Sequence, residues 1–230
     1  MNASALTDDR TRLLETAQPL CLRYGLALAG PDALAAHGLA VTPGRTPGLL
    51  LVAAEGPPLD AIAAGLVELF RTAGHPARIE PGTARRLRLT GPPHPIELHK
   101  EPLRHPVVLL PGTAVPVVAL PDAAALAVLR LCDRALPADL SAVHALTARF
   151  TEGELTALAA ALDEDFQTTV LAERLEAAAG LLHPKAEHVS GWAQAWAQDL
   201  RLDLMETLEL ADGLHDPYLE AVEAEQPDDL

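Results

Sequence analysis

At Pro121 the chain changes character, and that switch constrains the fold more than any other feature. Before it, short apolar runs are separated by Pro and Gly, the punctuation of strands and tight turns. After it, apolar residues recur at helical spacing almost to the end. The first half opens with a predicted helix over 7–24, with Leu13, Leu14, Ala17, Leu20 and Cys21 on one face. Thr7 is its expected cap, Asp8 and Asp9 sit in the dipole-favoured first turn, and Gly25 ends it. Residues 26–29 predict a short strand. Gly30 then turns the chain into a helix at Pro31, which needs no N–H at a first helical position. Residues 42–47 read as a loop. The unbroken apolar run 49–53 predicts a buried central strand. A helix follows over 59–73, with Ile62, Leu66, Leu69 and Phe70 on its apolar face. Runs at 77–80, 87–90, 96–99, 107–110 and 115–120 predict further strands.

The second half predicts helices over 122–135, 138–149, 151–162, 168–182, 189–210 (broken or continuous) and 217–225. Thr151 and Glu154 have the spacing of a capping box. The fold class that follows is α+β. A mixed sheet with flanking helices occupies residues 1–120, and an all-helical domain with an acidic tail occupies 121–230. A cleft is expected between them.

Charge limits the partners. The net charge is −15, and from Asp199 to Leu230 there are eleven acids against one base, Arg201. Such a surface repels a phosphate backbone, so no broad nucleic-acid footprint is expected. The acidic end is instead a candidate docking tail for a basic partner. Cys21 and Cys132 form no metal or redox spacing and read as small buried hydrophobes. The polar start and the lack of a long apolar run predict a cytoplasmic protein that does not span a membrane.

Several stretches, in order, carry a family resemblance. Tyr24 to Leu34 holds a strand followed by Gly30-Pro31-Asp32. Gly44 to Leu51 places Arg45 and Thr46 ahead of the apolar strand. The helix after Asp122 leads to Arg134 and then Asp139, and 151–166 has a matching tail. Over residues 20–170 these resemble the AbiEii/AbiGii-type nucleotidyltransferase toxins, which include the MenT-like toxins. The resemblance implies a nucleotidyltransferase-like sheet, a Gly-Gly-Thr/Ser turn after the first strand, and an Arg before a Thr/Ser-x-Asp-x-Asp strand. Arg134 and Asp139 match that pattern. Other positions depart from it. The second Gly of the turn is Pro31 and its Thr/Ser is Asp32. Aligned on Thr46, the metal-binding Asp-x-Asp falls on Gly48 and Leu50, the family's helix Lys on Ala127, and its second helical Asp on Ala142.

Nucleotidyl transfer uses carboxylate-held divalent ions to neutralise charge on the attacking and leaving oxygens. Two Asp at alternate strand positions suit that task because both side chains reach one face. Gly48 and Leu50 supply no side-chain oxygen. Asp32, Glu97 and Glu55 are the carboxylates that could stand in, or else a first-turn helix acid and two strand-end charges. Gly30, Arg45, Thr46, Arg134 and Asp139 are the candidate ligand-binding residues, Arg45 and Thr46 as an anion contact. Alternatively, Arg45 pairs structurally with Asp139 or another acid, and Arg134 with Asp133 or Asp139. Arg85, Arg86 and Arg88 form a basic cluster, and His94, His99 and His105 lack a metal-site pattern. Trp192 and Trp196 share a helix face as core or as a partner-facing patch.

These departures predict a catalytically degenerate nucleotidyltransferase-like protein, a pseudoenzyme with no resident metal or cofactor. It would act by binding a protein partner, or a ligand such as a nucleotide in a vestigial cleft. Two alternatives stay open. One is an active enzyme that transfers NMP from an NTP with Mg²⁺ on the relocated ligands Asp32 and Glu97. The other is a structural adaptor that uses its acidic helical domain.

Overall fold

The computed structural model describes residues 8–41, 48–54 and 56–213. Eight helices and five strands occur among them. In chain order they are α1 (Asp8–Tyr24), β1 (Leu26–Ala29), α2 (Gly30–Ala36), β2 (Leu49–Ala53), α3 (Leu59–Thr72), β3 (Arg78–Thr83), β4 (Arg86–Thr90) and β5 (Ile96–Lys100). Five helices follow: α4 (Leu120–Arg134), α5 (Pro137–Leu146), α6 (Glu152–Leu162), α7 (Thr168–Gly180) and α8 (Glu187–Gly213). The fold is α+β, as expected.

The strands form one mixed sheet in the order β1-β2-β5-β4-β3. β2 pairs antiparallel with β1 and parallel with β5, which aligns Leu50 with Glu97 and Val52 with His99. β5 pairs antiparallel with β4, and β4 with β3. β2 is apolar throughout because both its faces are covered. Leu49, Leu51 and Ala53 pack with Leu13 and Leu14 of α1 and with Ile62, Leu66 and Phe70 of α3. Leu50 and Val52 face the other way, into a core shared with Val128 and Leu131 of α4, Leu140 of α5, Leu155 of α6, Leu175 of α7 and Trp196 of α8. One helical layer therefore sits on each face of the sheet.

Two expected strands do not form. Runs 107–110 and 115–120 make only the isolated bridges Val108↔Val117 and Leu28↔Val117. Pro106, Pro111 and Pro116 punctuate this segment, and each removes a donor that a ladder needs. α5 ends at Leu146, short of the expected Arg149. α8 runs unbroken from Glu187, because Val189, Ala193, Trp196 and Ala197 bury one face across Gly191. The α6 capping box forms: the Glu154 amide donates to Thr151 Oγ1 at 3.2 Å, and the Thr151 amide donates to Glu154 Oε2 at 2.8 Å. The expected cap Thr7, the 42–47 loop and the 217–225 helix lie outside the described residues. Among the described residues, no helix is long and apolar enough to cross a membrane.

Candidate functional site

Strand alternation builds one wall of the cleft. Ile96 and Leu98 of β5 point into the core beside α1 and α3, so Glu97 and His99 point to the α4 side. Glu101 follows one residue after the strand. His99 lies between the two acids, with Nε2 3.9 Å from Glu97 Oε2 and Nδ1 3.5 Å from Glu101 Oε1. Arg86 of β4 projects to the same side and reaches Asp133 of α4 at 3.1 Å. The α4 face and the α6–α7 loop, with Asp163, Asp165 and Phe166, close a cleft of about 420 Å³. Its walls carry Glu97, Glu101, Asp133, Asp163 and Asp165 against Arg86, Arg130 and Arg134. Acids outnumber arginines.

Beneath that wall lies an anchored arginine pair. Arg130 and Arg134 are one turn apart on α4, and both reach back to Asp139 in the first turn of α5. Arg130 Nε is 3.2 Å from Asp139 Oδ1, and Arg134 Nε is 3.1 Å from Oδ2. Asp139 is only 6% exposed. Burial raises its carboxyl above the ordinary Asp range, and the charges of Arg134 and Arg130 pull it back down. Neither Arg130 Nε nor Asp139 Oδ2 has an aligned hydrogen bond, so charge attraction without full bonding holds the pair.

Of the two positions expected to align with carboxylates, Gly48 precedes β2 and is not among the cleft's lining residues, and Leu50 puts a buried aliphatic there. Leu50 is 8% exposed and lines the cleft. A Cβ on Gly30 would lie 3.5 Å from Leu50 Cδ2 and 3.9 Å from Arg130 Nη1. The turn after β1, the central strand and Arg130 therefore converge on one point. Gly30 takes φ +66°, a conformation that suits glycine. At Gly48 a Cβ would stand 2.7 Å from the Pro95 carbonyl oxygen, which already accepts the Leu49 amide at 2.8 Å.

The remaining candidates separate. Glu97 is in the cleft, but Asp32 is not among its lining residues. Asp32 is a first-turn acid of α2, and Arg10 Nη1 donates to both of its carboxylate oxygens at 2.6 Å. Burial raises the Asp32 carboxyl, while Arg10 and the charge of His94 oppose that shift. Glu55, Arg45 and Thr46 lie outside the described residues. The basic cluster is divided, with Arg86 on Asp133, Arg88 3.9 Å from Glu80, and Arg85 donating to the Lys100 carbonyl. His105 and two backbone amides bind Asp122, which ties the preceding loop to the start of α4. Arg130, Glu101 and Asp163 escaped sequence reasoning, and Asp165 entered it only as part of the tail ending at Phe166. The signals available were Glu97-x-His99-x-Glu101 on a strand and Arg130 one turn before Arg134.

Mg²⁺ needs several oxygen ligands in near-octahedral array. Among the described residues, no group of three or more His, Cys, Asp or Glu side chains is arranged to hold a metal ion. Glu97 has Leu50 as its neighbour on β2 and His99 as its neighbour on its own face. The described residues do not fit a magnesium site.

No protein-family model matches the chain, and no curated protein matches it. Solved structures do. JHP933 from Helicobacter pylori aligns at 12% identity over 94% of this chain and 100% of its own, with a TM-score of 0.45. Another solved H. pylori structure, provisionally described as a nucleotidyltransferase, aligns at 14% identity over 88% of this chain and 99% of its own, with a TM-score of 0.48. MenT4, a nucleotidyltransferase toxin from Mycobacterium tuberculosis H37Rv, aligns at 19% identity over 85% of this chain and 87% of its own, with a TM-score of 0.48.

Proposed function

We propose that this chain is a degenerate nucleotidyltransferase-like protein that works by binding a protein partner and not by transferring a nucleotide. One observation carries the reading. The two positions where the family frame puts metal-binding carboxylates are Gly48, walled by the Pro95 carbonyl, and Leu50, which lines the cleft and packs against the Gly30 turn beside Arg130. Transfer chemistry requires oxygens at that point. A side chain of any kind is sterically opposed at the first position, and a buried aliphatic fills the second. The relocated-ligand alternative has less support, because Arg10 engages both Asp32 oxygens and Asp32 does not line the cleft that holds Glu97. The cleft's excess of acids also disfavours a free triphosphate in it.

The test is an NMP-transfer assay with each labelled NTP, Mg²⁺ or Mn²⁺, and the full-length protein. Label incorporation should equal that of a protein-free control. Metal-dependent transfer that disappears in Glu97→Gln would overturn the proposal.

A further inference from the structure

We infer that the groove between α6 and α8 is a docking surface for a basic amphipathic helix of a partner protein. The inference rests on the partner-binding reading and gives that partner a site and a chemistry. The groove has a volume of about 610 Å³. Its floor is apolar: Trp192, Trp196, Leu200 and Leu204 from α8, facing Ala157 and Ala160 from α6. Its rim is acidic, with Glu152, Asp199 and Asp203, and no Lys or Arg lines it. Glu152 also receives the Trp192 indole N–H at 2.8 Å, which fixes that ring against the floor.

The groove exists because α8 outruns the helices that cover it. Val189, Ala193, Trp196 and Ala197 are buried, whereas Leu200 and Leu204 on the continuing face are only partly covered. From Trp192 to Thr207 the open stretch is about 22 Å at 1.5 Å per residue, the length of a helix of roughly four turns. A helix laid between two others buries its own apolar stripe on such a floor.

Charge selects the occupant. A second copy would bring Asp199 and Asp203 against the same acids, and Arg201, the only base in α8, is already paired with Glu176. The chain's own residues 214–230 carry six acids and no Lys or Arg, so the rim repels them too. A partner helix with Leu-type residues on one face and Lys or Arg beside them satisfies both floor and rim.

The chain's two tryptophans are both in this groove, so intrinsic fluorescence reports its occupancy. The probe is a Trp-free 16-residue peptide of Leu, Lys and Arg with one apolar helical face, titrated into the full-length protein without nucleotide. Saturable change in Trp emission is expected. Affinity should fall at least tenfold in Asp199→Lys/Asp203→Lys and in Ala157→Arg, all at exposed positions, with wild-type circular dichroism retained. A scrambled peptide of equal charge should leave the emission unchanged. The inference is overturned if the scrambled peptide acts equally or the variants bind normally. It is overturned equally if a synthetic 214–230 peptide shifts the emission or light scattering shows a dimer whose formation shifts it. Each of those failures leaves the transfer assay, and so the pseudoenzyme reading, untouched.

Discussion

Gly48→Ala tests the closed state of the central strand directly. The added methyl would meet the Pro95 oxygen at 2.7 Å, a distance at which something must shift. That atom is backbone, and it is the acceptor of the Leu49 amide where β2 starts to pair with β5. Relief therefore means moving β2 away from β5 at its first rung. Overpacking of this kind costs about 1–3 kcal/mol, and the weakened hydrogen bond about 1 more. A total near 3 kcal/mol lowers the melting temperature of a chain this size by roughly 6–12 °C. The matched control is Gly153→Ala in α6, where an added Cβ meets nothing within 4 Å. Helix propensity there predicts a gain of about 0.5–1 kcal/mol. Calorimetry on the two variants should therefore give shifts of opposite sign. A Gly48→Ala melting temperature within about 2 °C of wild type would refute the reasoning and reopen position 48 to a side chain.

Two buried carboxylates give further expectations. Asp139→Ala removes the counter-charge of Arg130, whose side chain is 16% exposed, while Arg134 at 36% regains solvent. The expected loss is about 3 kcal/mol by urea unfolding, with Asp139→Asn costing clearly less because burial already disfavours the charged form. Equal costs for Ala and Asn would count against that balance. Asp32 has its carboxyl raised by burial despite Arg10, so the native state holds its proton at higher pH than the unfolded chain does. Its stabilising contribution is then full below the unfolded value and declines as pH rises through the raised native one. Asp32→Asn should consequently cost less at about pH 7 than at about pH 3, and the reverse order would contradict the assignment.

How much of this was legible in the sequence depended on whether a local pattern decided the outcome. The run Leu49–Ala53 became a central strand with the expected limits, because only a strand covered on both faces tolerates unbroken apolar character. Thr151 and Glu154 capped α6 because their reciprocal hydrogen bonds are local. The Pro-rich 107–120 segment does not form strands because its missing backbone donors outweigh its apolar content. In the cleft, strand alternation places Glu97, whereas nearness of Asp32 to the Gly30 turn does not put it there. The pairing of Asp32 with Arg10, 22 residues away, is a tertiary event with no local signature. Arg130 has no local signature either. Its role depends on Asp139 lying across the α4–α5 junction and on Gly30 approaching from another element.

That convergence makes Leu50 the residue whose replacement says most about the site. Leu50 meets the Gly30 turn on the same side from which Arg130 Nη1 approaches. Leu50→Asn loses the buried aliphatic, which costs about 2–5 kcal/mol as for other large-to-small core changes. Leu50→Asp has the same size and loses the same contacts, but adds a charge at a position only 8% exposed. Without a nearby cation the aspartate must be the worse variant, because an unpaired buried carboxylate is strongly unfavourable. With Arg130 close enough to outweigh Glu97, the neighbour of position 50 on β5, it draws the guanidinium from Asp139 and becomes the better one. The structure predicts Asp above Asn at neutral pH, with the order reversing in an Arg130→Met background. If Asp is the worse variant in both backgrounds, Arg130 does not serve position 50, and β2 carries a buried aliphatic with no internal cation beside it.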